Sequence, residues 1–402
     1  MWQQFAMTSN YLLGWERQVS TNAARPVLSL GPRCWALRLV HLPAAGPETV
    51  WDFSGIFGRN TVTVTRFLES LRERWERNGH RAEPVCDVPR EISQAELPSR
   101  EPIIREIEKG VMTLIGADQA EKLYDRVVAE REMSGGSAAN TIAGLASIGG
   151  RGAFIGKVRN DELGVIFQRD IRSLGVWFDT PPATSGAGTA RCLVLVTDDA
   201  ERTMNTYLGA CVGLETKDVE VSLIRAARVT YLEGYLWDPP GAKSAFRKAM
   251  EIAHGAGRLV ALTLSDPFCV DRYRTEFVQL VSESVDILFA NEKEIISLYE
   301  AKDLEDAVRQ VRGHCKVVAL TLGARGSMVL SGNEVHVVEP APVERLIDTT
   351  GAGDLYAAGF LFGYTAGHEL AICGTYGSKA AAEVISHYGA RPNTPLSDLV
   401  AS

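Results

Sequence analysis

Residues 348–354 read Asp-Thr-Thr-Gly-Ala-Gly-Asp, and the apolar run Leu355–Leu361 follows them directly. Glycine permits backbone conformations and close approaches that a side chain would forbid. Where a helix begins at such a loop, its free backbone N–H groups and the positive end of its dipole suit a bound phosphate. A carboxylate at Asp354 would lie beside that phosphate, where it can take a proton from an attacking hydroxyl. Read alone, the stretch is also consistent with Asp348 or Thr350 merely capping a helix.

The chain around this loop has the pattern of parallel βαβ units. From Lys109 onward, β-branched apolar runs alternate with amphipathic stretches, which is typical of an α/β fold with a mostly parallel sheet. The predicted core strands are Gly152–Gly156, Val229–Glu233, Leu259–Leu264, Ile287–Asn291 and Val317–Thr321. The predicted helices are Ala138–Ser147, Lys243–His254, Leu304–Gly313, Asp354–Tyr364 and Ser378–Ser386. Three short segments with polar flanks, at about 111–115, 189–197 and 202–207, are predicted to form a small β lid over the main sheet.

The first 108 residues differ in composition from the rest. They contain five of the seven tryptophans and none of the ten lysines. We therefore divide the chain into an atypical N-terminal extension, residues 1–108, and a catalytic domain, residues 109–402. Within the extension, residues 64–77 are an amphipathic helix candidate and Asn60–Thr65 is a β-strand candidate. We expect the extension to be the least ordered part of the chain.

Composition excludes several classes of function. A net charge of −8 and a pI of about 5.5 argue against nucleic acid as a partner. No apolar run reaches the roughly 18 residues that a membrane span needs, and the N-terminus lacks the pattern of a secretory signal. Seven scattered cysteines without a Cys-x-x-Cys pair suggest free thiols and a cytoplasmic location. The chain also lacks the Gly-x-x-x-x-Gly-Lys loop of P-loop NTPases.

A second glycine turn begins at Ser134, where the chain reads Ser-Gly-Gly-Ser-Ala-Ala-Asn-Thr through residue 141. Such a turn before a helix is common by itself. In this order, about 210 residues apart, the two motifs resemble the signatures of the PfkB (ribokinase-like) carbohydrate kinases. The resemblance covers residues 109–402 and implies a three-layer α/β/α ribokinase-like sandwich with a small β lid. It also implies transfer of a phosphoryl group from ATP to a small molecule, with Mg²⁺ and a monovalent cation as candidate cofactors, by a monomer or homodimer.

The family pattern assigns roles to residues of this chain. Asp354 would be the catalytic base, and the backbone amides of Gly351, Ala352 and Gly353 would form an anion hole. The acceptor sugar would be held by Gly135, Gly136 and Asn140.

Two further pieces resemble the family's nucleotide and metal motifs. Asn291-Glu292-Lys293-Glu294 resembles an Asn-x-x-Glu element, in which Asn291 and Glu294 would organise Mg²⁺ through water. Alone, that pattern is more typical of a solvated helix start. The ATP phosphates would lie along Thr321, Gly323 and Gly326, with Asn291 and Thr350 also contributing.

Three short stretches are similar to adenosine-kinase-like members of the family. They are Glu201–Asn205, Tyr231–Tyr235 and Thr263–Phe268, the last reading Thr-Leu-Ser-Asp-Pro-Phe. Tyr235 and Phe268 would hold a purine base, although such side chains are more often plain core. Adenosine is therefore the expected acceptor. The alternatives are another nucleoside or a sugar, a non-catalytic ligand-binding relative, and a dinucleotide-dependent α/β enzyme.

One family element is not found. Family members begin with a strand that carries Gly-Asn-x-x-x-Asp, whose Asp binds the hydroxyls of the acceptor. Residues 1–108 contain no such pattern, and the candidates Cys86-Asp87 and Trp51-Asp52 lack its glycine and spacing. We therefore expect weak binding of the acceptor.

Overall fold

A computed structural model describes residues 112–126, 132–196 and 202–400, together with the backbone of residues 37–40, 49–50 and 81–84. The predictions for a helix at 64–77, a strand at 60–65 and low order in the extension concern residues outside this described part. The chain divides into two compact units, Met1–Pro98 and Ser99–Ser402. In the first unit, strands β1 (Leu37–Val40), β2 (Thr49–Val50) and β3 (Arg81–Pro84) form an antiparallel sheet in the order β2-β1-β3.

The second unit is built on a six-stranded sheet in the order β12-β11-β10-β9-β8-β7. Its strands are β7 (Val229–Glu233), β8 (Leu259–Thr263), β9 (Ile287–Asn291), β10 (Val317–Thr321), β11 (Ser327–Ser331) and β12 (Glu334–Val338). Strands β7 to β10 run parallel, β11 is antiparallel to β10, and β12 is antiparallel to β11. The mostly parallel sheet is thus confirmed.

Eleven helices are described. They are α1 (Ala117–Arg126), α2 (Ser137–Ile148), α3 (Glu162–Ser173), α4 (Val221–Ala226), α5 (Pro240–Gly255), α6 (Pro267–Glu283), α7 (Glu292–Tyr299), α8 (Leu304–Val311), α9 (Ala352–Ala366), α10 (Leu370–Val384) and α11 (Ser397–Val400).

Side chains alternate across the central strands and so build two cores. On one face, Leu288 and Val318 pack with apolar residues of α5, α6, α7 and α8. On the other face, Ile287 and Val317 pack with residues of α9 and α10. Both faces of the parallel strands are therefore covered by helices, as parallel sheets require. The fold is the predicted α/β/α sandwich.

A separate three-stranded sheet forms the lid. It contains β4 (Met112–Leu114), β5 (Arg191–Val196) and β6 (Arg202–Tyr207), in the order β4-β6-β5. Helix α1 covers one of its faces through a small apolar cluster. Strands are found at all three predicted places, but Ile115, Thr189 and Ala190, which were predicted as strand, are not part of them. Val111 and Thr197, at predicted ends, lie outside the described residues.

Two predictions about elements were wrong. Gly152–Gly156 is not a strand: it makes a single bridge, with two backbone hydrogen bonds joining Gly152 and Phe154 to Trp177. No second strand pairs with this segment among the described residues, so a ladder does not form. The helix predicted at Ser378–Ser386 is the second half of α10, which already begins at Leu370.

The early part of α10, residues 370–377, was not predicted. Gly374 and Gly377 lie in it and serve close packing, since a Cβ atom on Gly377 would lie 2.7 Å from the carbonyl oxygen of Tyr356 in α9. Among the described residues, no helix is long and apolar enough to cross a membrane.

Candidate active site

The carboxyl ends of four parallel strands define one edge of the main sheet. Strands β7, β8, β9 and β10 end there at Glu233, Thr263, Asn291 and Thr321. Ligands of open α/β sheets bind at this edge. The starts of α2 and α9 reach the same place, because Ser137 and Asn140 of α2 donate hydrogen bonds to Asp354 of α9. The backbone N–H of Ala138 in α2 donates to Glu233 at the end of β7.

Asp354 lies in the first turn of α9 and is held by the first turn of α2. The hydroxyl of Ser137 donates to Asp354 Oδ1 at 2.7 Å, and the amide of Asn140 donates to Oδ2 at 2.9 Å. Burial raises the pKa of Asp354, while these two hydrogen bonds and the charge of Arg202 act in the opposite direction. The two signature motifs, far apart in sequence, therefore converge on one carboxylate.

The side-chain amide of Asn140 makes only part of the hydrogen bonds that it can make. Its Nδ2 group donates to Asp354, but its buried Oδ1 atom has no hydrogen-bond partner. A buried polar atom without a partner is costly, so a ligand that donates to it would be stabilised. This geometry suits an acceptor hydroxyl near Asp354.

The glycine loop before α9 is anchored by Asp348. Its Oδ1 atom accepts from the amide (2.9 Å) and the hydroxyl (2.6 Å) of Thr350, and its Oδ2 atom accepts from the Gly389 amide at 3.0 Å. Thr350 was predicted to contact ATP; in this structure its hydroxyl donates to Asp348. Neither Asp348 nor Thr350 caps α9, because Gly351 is the N-cap residue and no side chain caps the helix.

Gly351 and Gly353 play different parts in that loop. Gly351 has φ of 82°, and a Cβ atom there would lie 2.8 Å from Cβ of Ala390. No atom lies within 4 Å of the corresponding position at Gly353. Gly351 is thus required by the fold, whereas Gly353 leaves open space at the helix start. The third predicted amide of the anion hole, that of Ala352, donates to the Thr349 carbonyl at 3.3 Å.

The other glycine turn, at Gly135 and Gly136, precedes α2. Gly136 has φ of 103° and stands at the N-cap position without a side-chain cap. Nothing lies within 4 Å of a Cβ position on Gly135. Both residues lie beside Ser137, so the structure brings the predicted acceptor loop next to Asp354.

Asn291 and Glu294 form a capping box at the start of α7. The backbone N–H of Glu294 donates to Asn291 Oδ1, and the backbone N–H of Asn291 donates to Glu294 Oε2, both at 2.9 Å. Glu294 is only 5% exposed, so this helix start is buried rather than solvated. The pKa of Glu294 is raised to about 7, chiefly by burial and also by the charge of Asp266, while the hydrogen bond from the Asn291 backbone N–H and the charge of Arg202 act in the opposite direction. No cluster of three metal-binding side chains is found among the described residues.

The turn after β10 adjoins the capping box. Thr321 is in register with Asn291 across β9 and β10. Gly323 and Gly326 both have positive φ values, 60° and 81°. A Cβ atom on Gly326 would lie 2.1 Å from the Val338 carbonyl oxygen. The predicted nucleotide turn therefore lies next to the predicted metal residues.

Tyr235 and Phe268 follow β7 and β8 but differ in their surroundings. The Tyr235 hydroxyl donates to the Ser265 carbonyl at 3.1 Å, and its ring packs against the core. Phe268 is 44% exposed, with the Arg272 guanidinium 5.1 Å from its ring centroid. No ring contact joins the two aromatics in the described part of the chain. Tyr235 fits the plain-core alternative, and Phe268 offers a free face.

Sequence reasoning did not assign roles to Arg202, Ser137 and Glu233. Arg202, on lid strand β6, donates from one guanidinium nitrogen to the Thr349 hydroxyl at 2.9 Å and carbonyl at 3.2 Å. Its charge also acts on the pKa values of Asp354 and Glu294. All three residues lie in stretches that resemble the family, and this resemblance was the only indication in the sequence that they belong to the site. Their hydrogen-bond partners are distant in sequence.

Comparison with known proteins identifies the family. The sequence model for pfkB family carbohydrate kinases matches residues 110–396. This chain belongs to the PfkB family. As a PfkB kinase it is an enzyme that phosphorylates a sugar or nucleoside.

Two solved structures resemble this PfkB kinase strongly. Adenosine kinase from Sinorhizobium meliloti is 51% identical, with a TM-score of 0.73, over 75% of this chain and 92% of that one. A probable sugar kinase protein from Rhizobium etli CFN 42 is 48% identical, with the same TM-score and coverage. Probable fructokinase-3 from Arabidopsis thaliana is 30% identical over 56% of this chain and 68% of its own length. The relatives thus share the kinase family but bear different substrate names.

Proposed function

We propose that this PfkB kinase transfers the γ-phosphoryl group of ATP to a primary hydroxyl of a nucleoside, with adenosine as the preferred acceptor and AMP as the product. The observation that carries the proposal is the Asp354 carboxylate, fixed by Ser137 and Asn140 at the start of a glycine-led helix. Adenosine is favoured because an adenosine kinase is 51% identical over three quarters of the chain.

Asp354 would act as the general base. A raised pKa makes a carboxylate a better proton acceptor, provided that it is ionised at the working pH. The two donors from α2 keep the ionised form oriented. The unpartnered Oδ1 atom of Asn140 would accept a hydrogen bond from a hydroxyl of the acceptor and hold it beside the base.

The phosphate would bind at the start of α9. Gly353 leaves space there, and the helix dipole favours an anion. Arg202 already reaches Thr349 in the same loop, so its guanidinium is near enough to stabilise charge on a transferred phosphoryl group. The lid that carries Arg202 would also exclude water, which otherwise competes as an acceptor.

Asn291 and Glu294 would hold Mg²⁺ through water molecules. Their oxygen atoms are the type of donor that this ion prefers, and the buried carboxylate of Glu294 supplies the charge. When bound, Mg²⁺ would neutralise the phosphate oxygens of ATP. The nucleotide phosphates would lie along the adjoining turn at Thr321, Gly323 and Gly326.

A second acceptor class has specific support. A probable sugar kinase protein is 48% identical, and a named fructokinase is among the relatives. The deciding experiment measures ATP consumption with adenosine, inosine, guanosine, ribose and fructose. We expect the highest kcat/KM with adenosine. A higher value with ribose or fructose would assign the enzyme to the sugar kinases, and ATP binding without turnover on any acceptor would indicate a non-catalytic relative.

A further inference from the structure

Helix α2 lacks a cap of its own. Its N-cap residue is Gly136, which has no side chain to accept a hydrogen bond, and its first turn contains no acidic residue. The first backbone N–H groups of a helix need acceptors from elsewhere. The helix that carries the two hydrogen-bond donors to Asp354 is therefore incomplete at its own start.

Glu233 supplies the missing acceptor from a different element. It is the last residue of β7, and its Oε2 atom accepts from the Ala138 amide at 2.6 Å. A carboxylate at this place also complements the positive end of the helix dipole. Strand β7 is held in the main sheet by its pairing with β8, so the start of α2 is tied to a rigid element.

The hydrogen bond from Ala138 to Glu233 lies in the same turn of α2 that holds the proposed base, Asp354. Ala138 directly follows Ser137, which donates to one oxygen of Asp354, and Asn140 donates to the other. A shift of this turn would move both donors together. Misplacement of a catalytic group by about 1 Å can cost about 100-fold in rate.

We infer that Glu233 is a positioning residue: through the Ala138 amide it fixes the first turn of α2, and thereby sets the orientation of Asp354. The inference rests on the proposed function only in taking Asp354 as the base.

The protonation state of Glu233 affects how strongly it accepts the hydrogen bond from Ala138, and it depends on the groups around it. The pKa of Glu233 is raised to about 7, chiefly by burial and also by the charge of Asp354 on α9, while the hydrogen bond from the Ala138 N–H acts in the opposite direction. Tyr231, on the same strand, and Cys211 also interact with its charge. The ionised form is the stronger hydrogen-bond acceptor. Tightening of the α2 turn is therefore expected as the pH rises through neutrality.

The test compares Glu233→Ala with Glu233→Gln in the full chain. Alanine removes the acceptor, and we expect kcat to fall about 10- to 100-fold with little change in the KM for ATP. Glutamine keeps a carbonyl acceptor, so its kcat should stay within about fivefold of wild type at pH 8. The Gln variant should also lose one ionisation near pH 7 from the pH profile of kcat. Asp303→Asn, which changes a helix-capping carboxylate of α8, is the matched control and should leave kcat unchanged.

A double-variant cycle separates positioning from general damage. If Glu233 acts through Asp354, Glu233→Ala should lower the residual rate of Asp354→Asn by less than about twofold. Equal losses in both backgrounds would overturn the inference, as would equal kcat values for the Ala and Gln variants. Neither result would affect the assignment of Asp354, which fails only if Asp354→Asn itself keeps normal turnover.

Discussion

At the scale of single residues, Asp354 is the position on which the proposed chemistry depends. Asp354→Asn would retain the size of the side chain and an oxygen that accepts from Ser137, but it would remove the proton acceptor and the oxygen to which Asn140 donates. We expect kcat to fall by about 10² to 10⁴ while ATP binding stays largely intact. Turnover measured together with ATP binding by calorimetry checks both expectations. A variant that keeps more than about half of the normal kcat would show that another group takes the proton.

The pKa of Glu294 predicts how the Mg²⁺ concentration that the enzyme requires changes with pH. Its pKa is raised to about 7, so this carboxyl group is protonated below neutrality in the metal-free protein. Because the proposed water-mediated contact relies on the negative charge of Glu294, Mg²⁺ binding should weaken as the pH falls through 7. At fixed ATP, we expect the Mg²⁺ concentration for half-saturation to rise below pH 7.

Two variants test that assignment. Glu294→Gln should raise the half-saturating Mg²⁺ concentration at all pH values and flatten its pH dependence, while the acceptor KM changes less. Glu305→Gln, on α8 and ion-paired to Arg309 at the surface, should leave the titration unchanged. An unaltered half-saturation point in Glu294→Gln would remove this residue from the metal site and leave it a helix cap.

The candidate site was only partly predictable at this scale. Asp354, Gly136 and Asn140 could be found because each belongs to a motif that is continuous in sequence. Glu233 and Arg202 could not, because their roles depend on contacts with Ala138 and Thr349. Such contacts form only when the sheet and lid bring distant segments together.

At the scale of elements, helices α9 and α10 approach closely through glycine. A Cβ atom on Gly359 would lie 2.4 Å from the carbonyl oxygen of Tyr376, and a backbone atom cannot move aside as a flexible side chain can. We expect Gly359→Ala to destabilise the protein by about 1–3 kcal/mol, measured as a lower urea midpoint. Gly255→Ala is the control, since this helical glycine has no atom within 4 Å of its Cβ position. Equal midpoints for the two variants would mean that the helices can separate without cost.

Some strands and helices could be predicted from the sequence and others could not. Strands Val229–Glu233, Ile287–Asn291 and Val317–Thr321 were predicted with their observed bounds, because each is a short run rich in β-branched and aromatic residues. Helix α6 was missed although Asp266 and Pro267 are a typical helix start. The β11–β12 hairpin was missed although Gly332-Asn333 is a typical two-residue turn. In both cases the local signal was present but was not used.

At the scale of the whole molecule, the N-terminal region remains the main departure from the family pattern. The Gly-Asn-x-x-x-Asp element is not found in residues 1–108, and β7 is an edge strand of the main sheet in the described part of the chain. A hydrogen bond to a charged group contributes about 1.5–3 kcal/mol. We therefore expect adenosine to bind with a Kd well above the micromolar range, with ATP binding as the internal control.

Calorimetric titration of the full chain measures both affinities. Micromolar or tighter adenosine binding would contradict this expectation. It would mean that a carboxylate outside the family pattern takes the place of the missing one. Limited proteolysis is a separate check on the extension: we expect the first cuts before residue 108 while the kinase domain survives.

The glycine contacts between α9 and α10 also bear on how this protein can evolve. Gly359, Gly363 and Gly377 each place a would-be Cβ atom within 3.1 Å of an atom of the other helix. Every amino-acid replacement of glycine adds at least that atom, so no single-codon change at these positions is conservative. A saturation-mutagenesis map selected for kinase activity should therefore show two intolerant regions. One surrounds Asp354, and the other follows this helix pair, where selection would act on packing instead of chemistry.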